Sequence, residues 1–224
     1  TVHVNVRCID LPGFGRSSNL TVPTSLDAMV AAVMQVAPRS AVWGGWSLGG
    51  LVALAVAACH PGRVVAIVML AATPCFVQRP DWPTGMSPVQ FETFSDSVRQ
   101  NAAEALKQFM ALQSKGSASM KKDLRFLQEI SAGQSMPAFS ALASGLDLLK
   151  NSDLREAVAK LDIPVLAITG EHDVLVPAAV AAALGARNSR CVAHVVNGAA
   201  HVPFISHPGQ CRDAVLAFMQ EIHE

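Results

Sequence analysis

The sequence carries little charge and no surplus of either sign. Lys and Arg number 17, Asp and Glu number 17, and charged residues make up 15% of the chain. Without an excess of cations to meet phosphates, a general nucleic-acid binder is excluded, although one local basic patch is not. Cysteines are few and scattered: Cys8, Cys59, Cys75, Cys191 and Cys211. Their number is odd, and neither a CxxC pair nor a Cys/His cluster occurs, so no zinc site and no disulfide framework is expected. Scattered free thiols fit a reducing, cytoplasmic setting. The apolar stretch 48–58 falls short of the ~20 residues that cross a bilayer, and no signal peptide is seen. Gly-Lys-Ser/Thr is missing, which removes a Walker phosphate loop. No internal repeat or low-complexity segment occurs. No metal, cofactor, nucleic acid or membrane is therefore expected. What is present is 224 residues, 51% of them hydrophobic, enough for one sizeable domain with a real core.

Along the chain, residues 2–9 alternate loosely and are valine-rich, which predicts a strand. Asp10-Leu11-Pro12-Gly13-Phe14-Gly15-Arg16-Ser17 is a turn-rich loop. Ser25 can cap a helix to about Val36, with Leu26, Met29, Val30 and Val33 on one face. His60-Pro61-Gly62 stops a second helix, and 64–70 is a continuous apolar run, as in a strand buried on both faces of a parallel sheet. From Thr73 the texture changes: Pro74, Pro80, Pro83 and Pro88 break the chain, and helical patterns follow over 89–109, 121–130 and 139–149. Residues 74–150 read as a helical lid inserted into a core formed by 1–73 and 151–224. Strand 164–169, helix 176–184, strand 191–196 and helix 210–222 resume the alternation. This order predicts an α/β fold with a mostly parallel sheet flanked by helices.

The chain is organised around Gly44-Gly45-Trp46-Ser47-Leu48-Gly49-Gly50. Apolar Ala41-Val42-Trp43 precedes it and a helix-prone apolar run follows. Strand, tight turn and helix form the context of a Gly-x-Ser-x-Gly nucleophile elbow. The serine sits in a strained turn, so glycines two residues either side are expected to avoid collision between strand and helix. The competing reading is a Gly-rich turn with a helix-capping serine. A serine nucleophile needs a base, and the base an orienting acid. In this arrangement they follow in the order Ser, acid, His, each on a loop after a strand. After strand 164–169 come Glu171, His172 and Asp173; Asp173 is the expected acid, Glu171 its rival. After strand 191–196 comes Asn197-Gly198-Ala199-Ala200-His201; His201 is the expected base, His207 its rival, and His172 a solvated loop residue. Ser47, Asp173 and His201 would form an acyl-enzyme, with the Leu48 N–H as one oxyanion donor.

These motifs resemble the α/β-hydrolase superfamily and, within it, the pimeloyl-[acyl-carrier protein] methyl ester esterases of biotin synthesis. The residues that carry the likeness are Asp10 to Ser17, Gly45-Trp46-Ser47-Leu48-Gly49-Gly50-Leu51-Val52-Ala53, Thr73-Pro74-Cys75-Phe76, Phe109-Met110-Ala111-Leu112-Gln113 and the stretch from Gly198 to Pro208. It implies hydrolysis of a methyl ester at the far end of a pimeloyl chain carried on acyl-carrier protein. It implies that Leu48, Phe109, Met110, Ala111, Leu112, Gln113 and His201 line the acyl pocket; an ordinary amphipathic lid helix is the reading of 109–113 without it. An acidic carrier calls for a basic patch, and Lys115, Lys121, Lys122 and Arg125 are the candidates, diluted by Asp123 and Glu129. Glu104 and Gln108 stand where this family can carry basic residues, so docking is expected to be weaker or differently arranged. A monomer is expected.

One departure matters. That family begins with three further strands and a His-Gly loop that supplies the second oxyanion donor and a pocket tryptophan. Here the chain starts at Thr1 with what resembles the fourth strand. The expectation is an N-terminally incomplete sequence of an active enzyme, without its early strands and oxyanion loop. Two other readings stand beside the esterase: a general short-chain carboxylesterase, and a non-catalytic ligand-binding homologue.

Overall fold

The computed structural model describes residues 5–222. Its centre is a four-stranded, wholly parallel sheet in the order β1 (Ala41–Trp46), β2 (Val64–Leu70), β3 (Val165–Gly170), β4 (Cys191–Val196). Helices α1 (Leu26–Met34) and α2 (Leu48–Cys59) flank β1. Helices α3 (Pro88–Gln100), α4 (Ala102–Ser114), α5 (Met120–Ala132) and α6 (Phe139–Asn151) lie between β2 and β3, followed by the short α7 (Arg155–Lys160). Helix α8 (Ala179–Arg187) joins β3 to β4, and α9 (Pro203–Ser206) and α10 (Pro208–Glu221) close the chain. Among these residues no helix is long and apolar enough to cross a membrane.

The central strands are apolar on both faces because two cores sandwich them. Ile67, Met69, Val165 and Ala167 point into one core with Val52, Leu54 and Val180. Ala66, Val68, Leu166 and Ile168 point into the other with Cys211 and Phe218 of α10. Alternation of side chains across a strand distributes them this way. The register pairs Trp46 with Leu70, Leu70 with Ile168 and Gly170 with Val196. The loops after β1, β3 and β4 therefore emerge at one edge of the sheet, where open parallel sheets place ligands.

Several local expectations are corrected. Of the strand expected over 2–9, residues 2–4 lie outside the described residues, and 5–9 have no regular secondary structure. A strand exists only as part of a ladder, and among the described residues none lies beside this segment. The helix expected over 89–109 is two helices. The Asn101 side chain accepts from the Glu104 N–H at 3.1 Å and starts α4 anew. Helix α8 begins at Ala179 rather than 176; the N–H groups of Leu175 and Val176 both donate to Asp173. The ends of the inserted helices meet at their base, where Leu154 N–H donates to Pro74 O at 2.9 Å.

Candidate active site

Ser47 follows the last residue of β1 and precedes α2. Its φ of 52° and ψ of −117° place a β-carbon-bearing residue in sparsely populated space. An N-cap residue would be extended; Ser47 is not, and its side chain makes no capping hydrogen bond. Its backbone is held from both sides. The N–H donates to Leu70 O at 2.9 Å, and the carbonyl accepts from Gly50 and Leu51 at 3.0 and 3.3 Å. The hydroxyl is thus left out of the helix's own bonding. Leu48, the first residue of α2, has an N–H with no carbonyl one turn back to receive it.

The glycines work differently from the symmetric expectation. A β-carbon on Gly45 would lie 2.2 Å from the Gly49 carbonyl oxygen, and one on Gly50 would lie 2.3 Å from the Ala72 β-carbon. On Gly49 it would meet nothing within 4 Å. The close approach is of strand backbone to helix backbone, and Gly49 supplies only main-chain atoms to it. Gly50 is the second position where a side chain cannot fit.

Asp173 and His201 are brought together in the interior, 5% and 1% exposed. His201 Nδ1 lies 2.8 Å from Asp173 Oδ2. The other carboxylate oxygen accepts from Leu175 and Val176 N–H at 2.8 and 2.9 Å. An ionised carboxylate only accepts, so Nδ1 is the donor in this contact, and in the neutral imidazole that leaves the lone pair on Nε2. Nε2 is buried and has no hydrogen-bond partner among the described residues. The Ser47 loop reaches this pair through Trp46. The indole N–H donates to His201 O at 3.0 Å, and its ring lies 5.6 Å from the imidazole, centroid to centroid. Sequence reasoning missed Trp46, which occupies a variable position of the elbow motif.

The rivals are placed elsewhere. Glu171 Oε2 accepts from Gly198 N–H at 2.8 Å and lies 3.6 Å from His172 Nε2. His207 Nδ1 lies 2.8 Å from Ser206 Oγ at the start of α10. His172 is exposed.

Helix α4 runs past this site and is tied to it: His201 N–H donates to Gln113 O at 3.0 Å. Ala105 and Gln113 are buried, and Phe109 and Leu112 are half-buried against the core. Phe109 stacks on Phe94 at 5.1 Å, and Met110 is half-buried. Ala111 is exposed; the 3.6-residue period that turns 105, 109, 112 and 113 inward turns 111 outward. Leu48 is half-buried, and its Cδ2 would lie 3.4 Å from a β-carbon on Gly145 of α6. A separate cavity of about 380 Å³ is lined by Ser95, Val98, Arg99, Phe139, Leu146 and their neighbours, none of them an expected pocket residue.

Of the basic candidates, Lys115, Lys121, Lys122 and Arg125 are all exposed. Arg125 pairs with Glu129 at 2.8 Å. Asp123 does not stand on that surface: it is 1% exposed and accepts from Ser117 Oγ at 2.6 Å and Ser119 Oγ at 2.9 Å. Among the described residues no group of three His, Cys, Asp or Glu side chains could hold a metal ion.

With this geometry in place, comparison with known proteins is informative. The sequence profile of the Alpha/beta hydrolase family matches residues 2–214. The chain belongs to that family. Among curated relatives of this hydrolase is the pimeloyl-[acyl-carrier protein] methyl ester esterase of Citrobacter koseri, 40% identical over 222 residues, covering 99% of this chain and 86% of the relative. The protein of that name from Xanthomonas campestris pv. campestris is 42% identical over 217 residues, covering 97% and 85%. An esterase from Exiguobacterium antarcticum superposes with a TM-score of 0.80 at 18% identity, covering 94% of this chain and 80% of its own. A bromoperoxidase from Bacillus anthracis does so with a TM-score of 0.80 at 21% identity, covering the same shares. At such identities these two likenesses speak for the fold alone.

Proposed function

We propose that this carboxylic ester hydrolase cleaves the methyl ester of a pimeloyl chain carried on acyl-carrier protein, with Ser47 as nucleophile, His201 as base and Asp173 as the orienting acid. The observation that carries the chemistry is the buried 2.8 Å contact between Asp173 and His201, with Nε2 unengaged and the strained Ser47 turn joined to His201 through the neighbouring Trp46. The substrate rests on kinship: relatives 38–42% identical over nearly the whole chain bear that name.

In this reading His201 Nε2 takes the Ser47 proton as Oγ attacks the ester carbonyl. The Asp173 carboxylate stabilises the imidazolium. The Leu48 N–H, at the N-terminus of α2, donates to the oxyanion. Collapse breaks the bond to the methoxy oxygen, which takes the proton from the His201 imidazolium and leaves as methanol. Water, deprotonated by His201, then releases the pimeloyl carboxylate and restores Ser47. Residues 74–150 serve as the lid over core segments 1–73 and 151–224, with Leu48, Phe109, Met110, Leu112 and Gln113 toward the acyl chain. Lys115, Lys121 and Lys122, which form no ion pair among the described residues, face the acidic carrier together with Arg125.

The test is hydrolysis of pimeloyl-carrier methyl ester by the parent and by Ser47→Ala, alongside a p-nitrophenyl butyrate control. Turnover of the carrier ester that disappears in Ser47→Ala is expected. Turnover of the small ester alone would replace this reading with a general carboxylesterase. No turnover of either, with no labelling of Ser47 by a serine-directed phosphonate, would leave a ligand-binding homologue.

A further inference from the structure

Gly198 lies between β4 and His201 and is gripped on both sides. It adopts a φ of 74°, in the left-handed region that suits glycine. Its carbonyl accepts from Ala118 N–H at 3.0 Å. Its own N–H donates to Glu171 Oε2 at 2.8 Å. Glu171 stands on the loop that carries Asp173. That loop is also joined to the histidine loop by main-chain bonds from Glu171 N–H to Val196 O at 3.0 Å and from His172 N–H to Ala199 O at 2.8 Å. These two bonds align the loop ends. Among the described residues, the Glu171 carboxylate is the one side chain that hydrogen-bonds the turn between them.

We infer that Glu171 is a positioning residue: by holding the Gly198 N–H it sets the turn that presents the His201 imidazole to Asp173 and Ser47. This inference rests on His201 being the reaction base. A hydrogen bond to an ionised acceptor is short and directional, so its loss frees a left-handed hinge three residues from the base. Glu171 is about half exposed, so water competes for the freed N–H and the expected effect is modest.

The experiment compares Glu171→Ala, Glu171→Gln and His201→Ala in the whole chain with a p-nitrophenyl ester. Glu171→Ala is expected to lower kcat about fivefold with KM unchanged, on the scale of one exposed hydrogen bond. It should also speed exchange of the Gly198 amide proton and broaden the deshielded Nδ1–H resonance of His201. Glu171→Gln keeps an acceptor oxygen without the charge and is expected to restore most of kcat and the sharp resonance. An unchanged kcat in Glu171→Ala overturns the inference. So does Glu171→Gln behaving like Glu171→Ala, which would assign the effect to charge rather than position. If His201→Ala keeps turnover, the base assignment itself fails, and that outcome is distinct from either of these.

Discussion

Replacing Asp173 by Asn tests the site with almost no change of shape. Asp173 Oδ1 receives two N–H groups, from Leu175 and Val176, and Oδ2 faces His201 Nδ1. An Asn can keep its carbonyl oxygen on the two backbone donors, so the loop stays formed. Its amide NH₂ then meets Nδ1. Two donors cannot face each other, so Nδ1 becomes the acceptor and the imidazole proton moves to Nε2. A protonated Nε2 cannot take the Ser47 proton, and no carboxylate is left to stabilise an imidazolium. The loss on record for this change in a serine triad is about 10⁴ in kcat, or roughly 5 kcal/mol of transition-state stabilisation at 1.36 kcal/mol per decade. The stability cost is expected to be smaller, about 1.5–3 kcal/mol, the scale of one hydrogen bond to a charged group. The assay is steady-state hydrolysis of the carrier methyl ester or a p-nitrophenyl ester, with the rate of phosphonate labelling at Ser47 measured in parallel. A folded Asp173→Asn enzyme retaining more than about a tenth of parental kcat would refute the reasoning. So would a larger loss on replacing Glu171.

Other outcomes follow from the same geometry. Gly49→Ala should fold with a Tm near the parent's, whereas Gly45→Ala and Gly50→Ala should each be destabilised by about 1–3 kcal/mol, the scale of overpacking, in a urea titration; equal effects at all three would contradict the backbone contacts. Burial pushes the Cys191 and Cys211 thiols up to about 11 and raises that of Cys75. At pH 8 an alkylating reagent followed by peptide mapping should label exposed Cys8 and Cys59 in the native protein, and the other three only after unfolding. The Arg155 guanidinium, hydrogen-bonded to Asp153 and ion-paired with Asp81 at 2.7 Å, holds both carboxyls below their ordinary value. Their contribution to stability is therefore present above the usual carboxylate range and lost as pH falls through their lowered folded values, so Arg155→Met should flatten the dependence of Tm on pH at and below about pH 4. Lys121→Glu with Lys122→Glu should raise KM for the carrier-bound ester about tenfold at low salt and leave the p-nitrophenyl ester unchanged; an equal effect on both substrates would count against docking there.

The sequence by itself determined what is local. The continuous apolar run 64–70 set β2 to the residue, because a strand buried between two cores carries its signal in its own side chains; 191–196 also matches β4, although that edge strand is buried only at Cys191 and Val196. Ser25 before a 3.6-residue period set the start of α1. The break at Asn101 was legible too, since Asn followed by a helical pattern is a start signal, and only the continuity of the apolar face hid it. The order Ser47, Asp173, His201 could be proposed because each follows a strand, and parallel strands deliver their following loops to one edge. Tertiary structure decided whatever depends on which atoms meet across long separations. Residues 5–9 have strand-like composition, but pairing comes from a neighbour, not from composition. Gly49 and Gly50 read alike in sequence, yet only Gly50 faces Ala72. Asp123 and Glu129 read alike as charges on one helix, yet one is buried between two serine hydroxyls and the other pairs with Arg125 in solvent. Asp173 and Glu171, two residues apart on one loop, were rivals for the same role. The turn between them sends one carboxylate inward to His201 and the other along the surface to Gly198, and that direction is a property of the folded loop, not of either residue type.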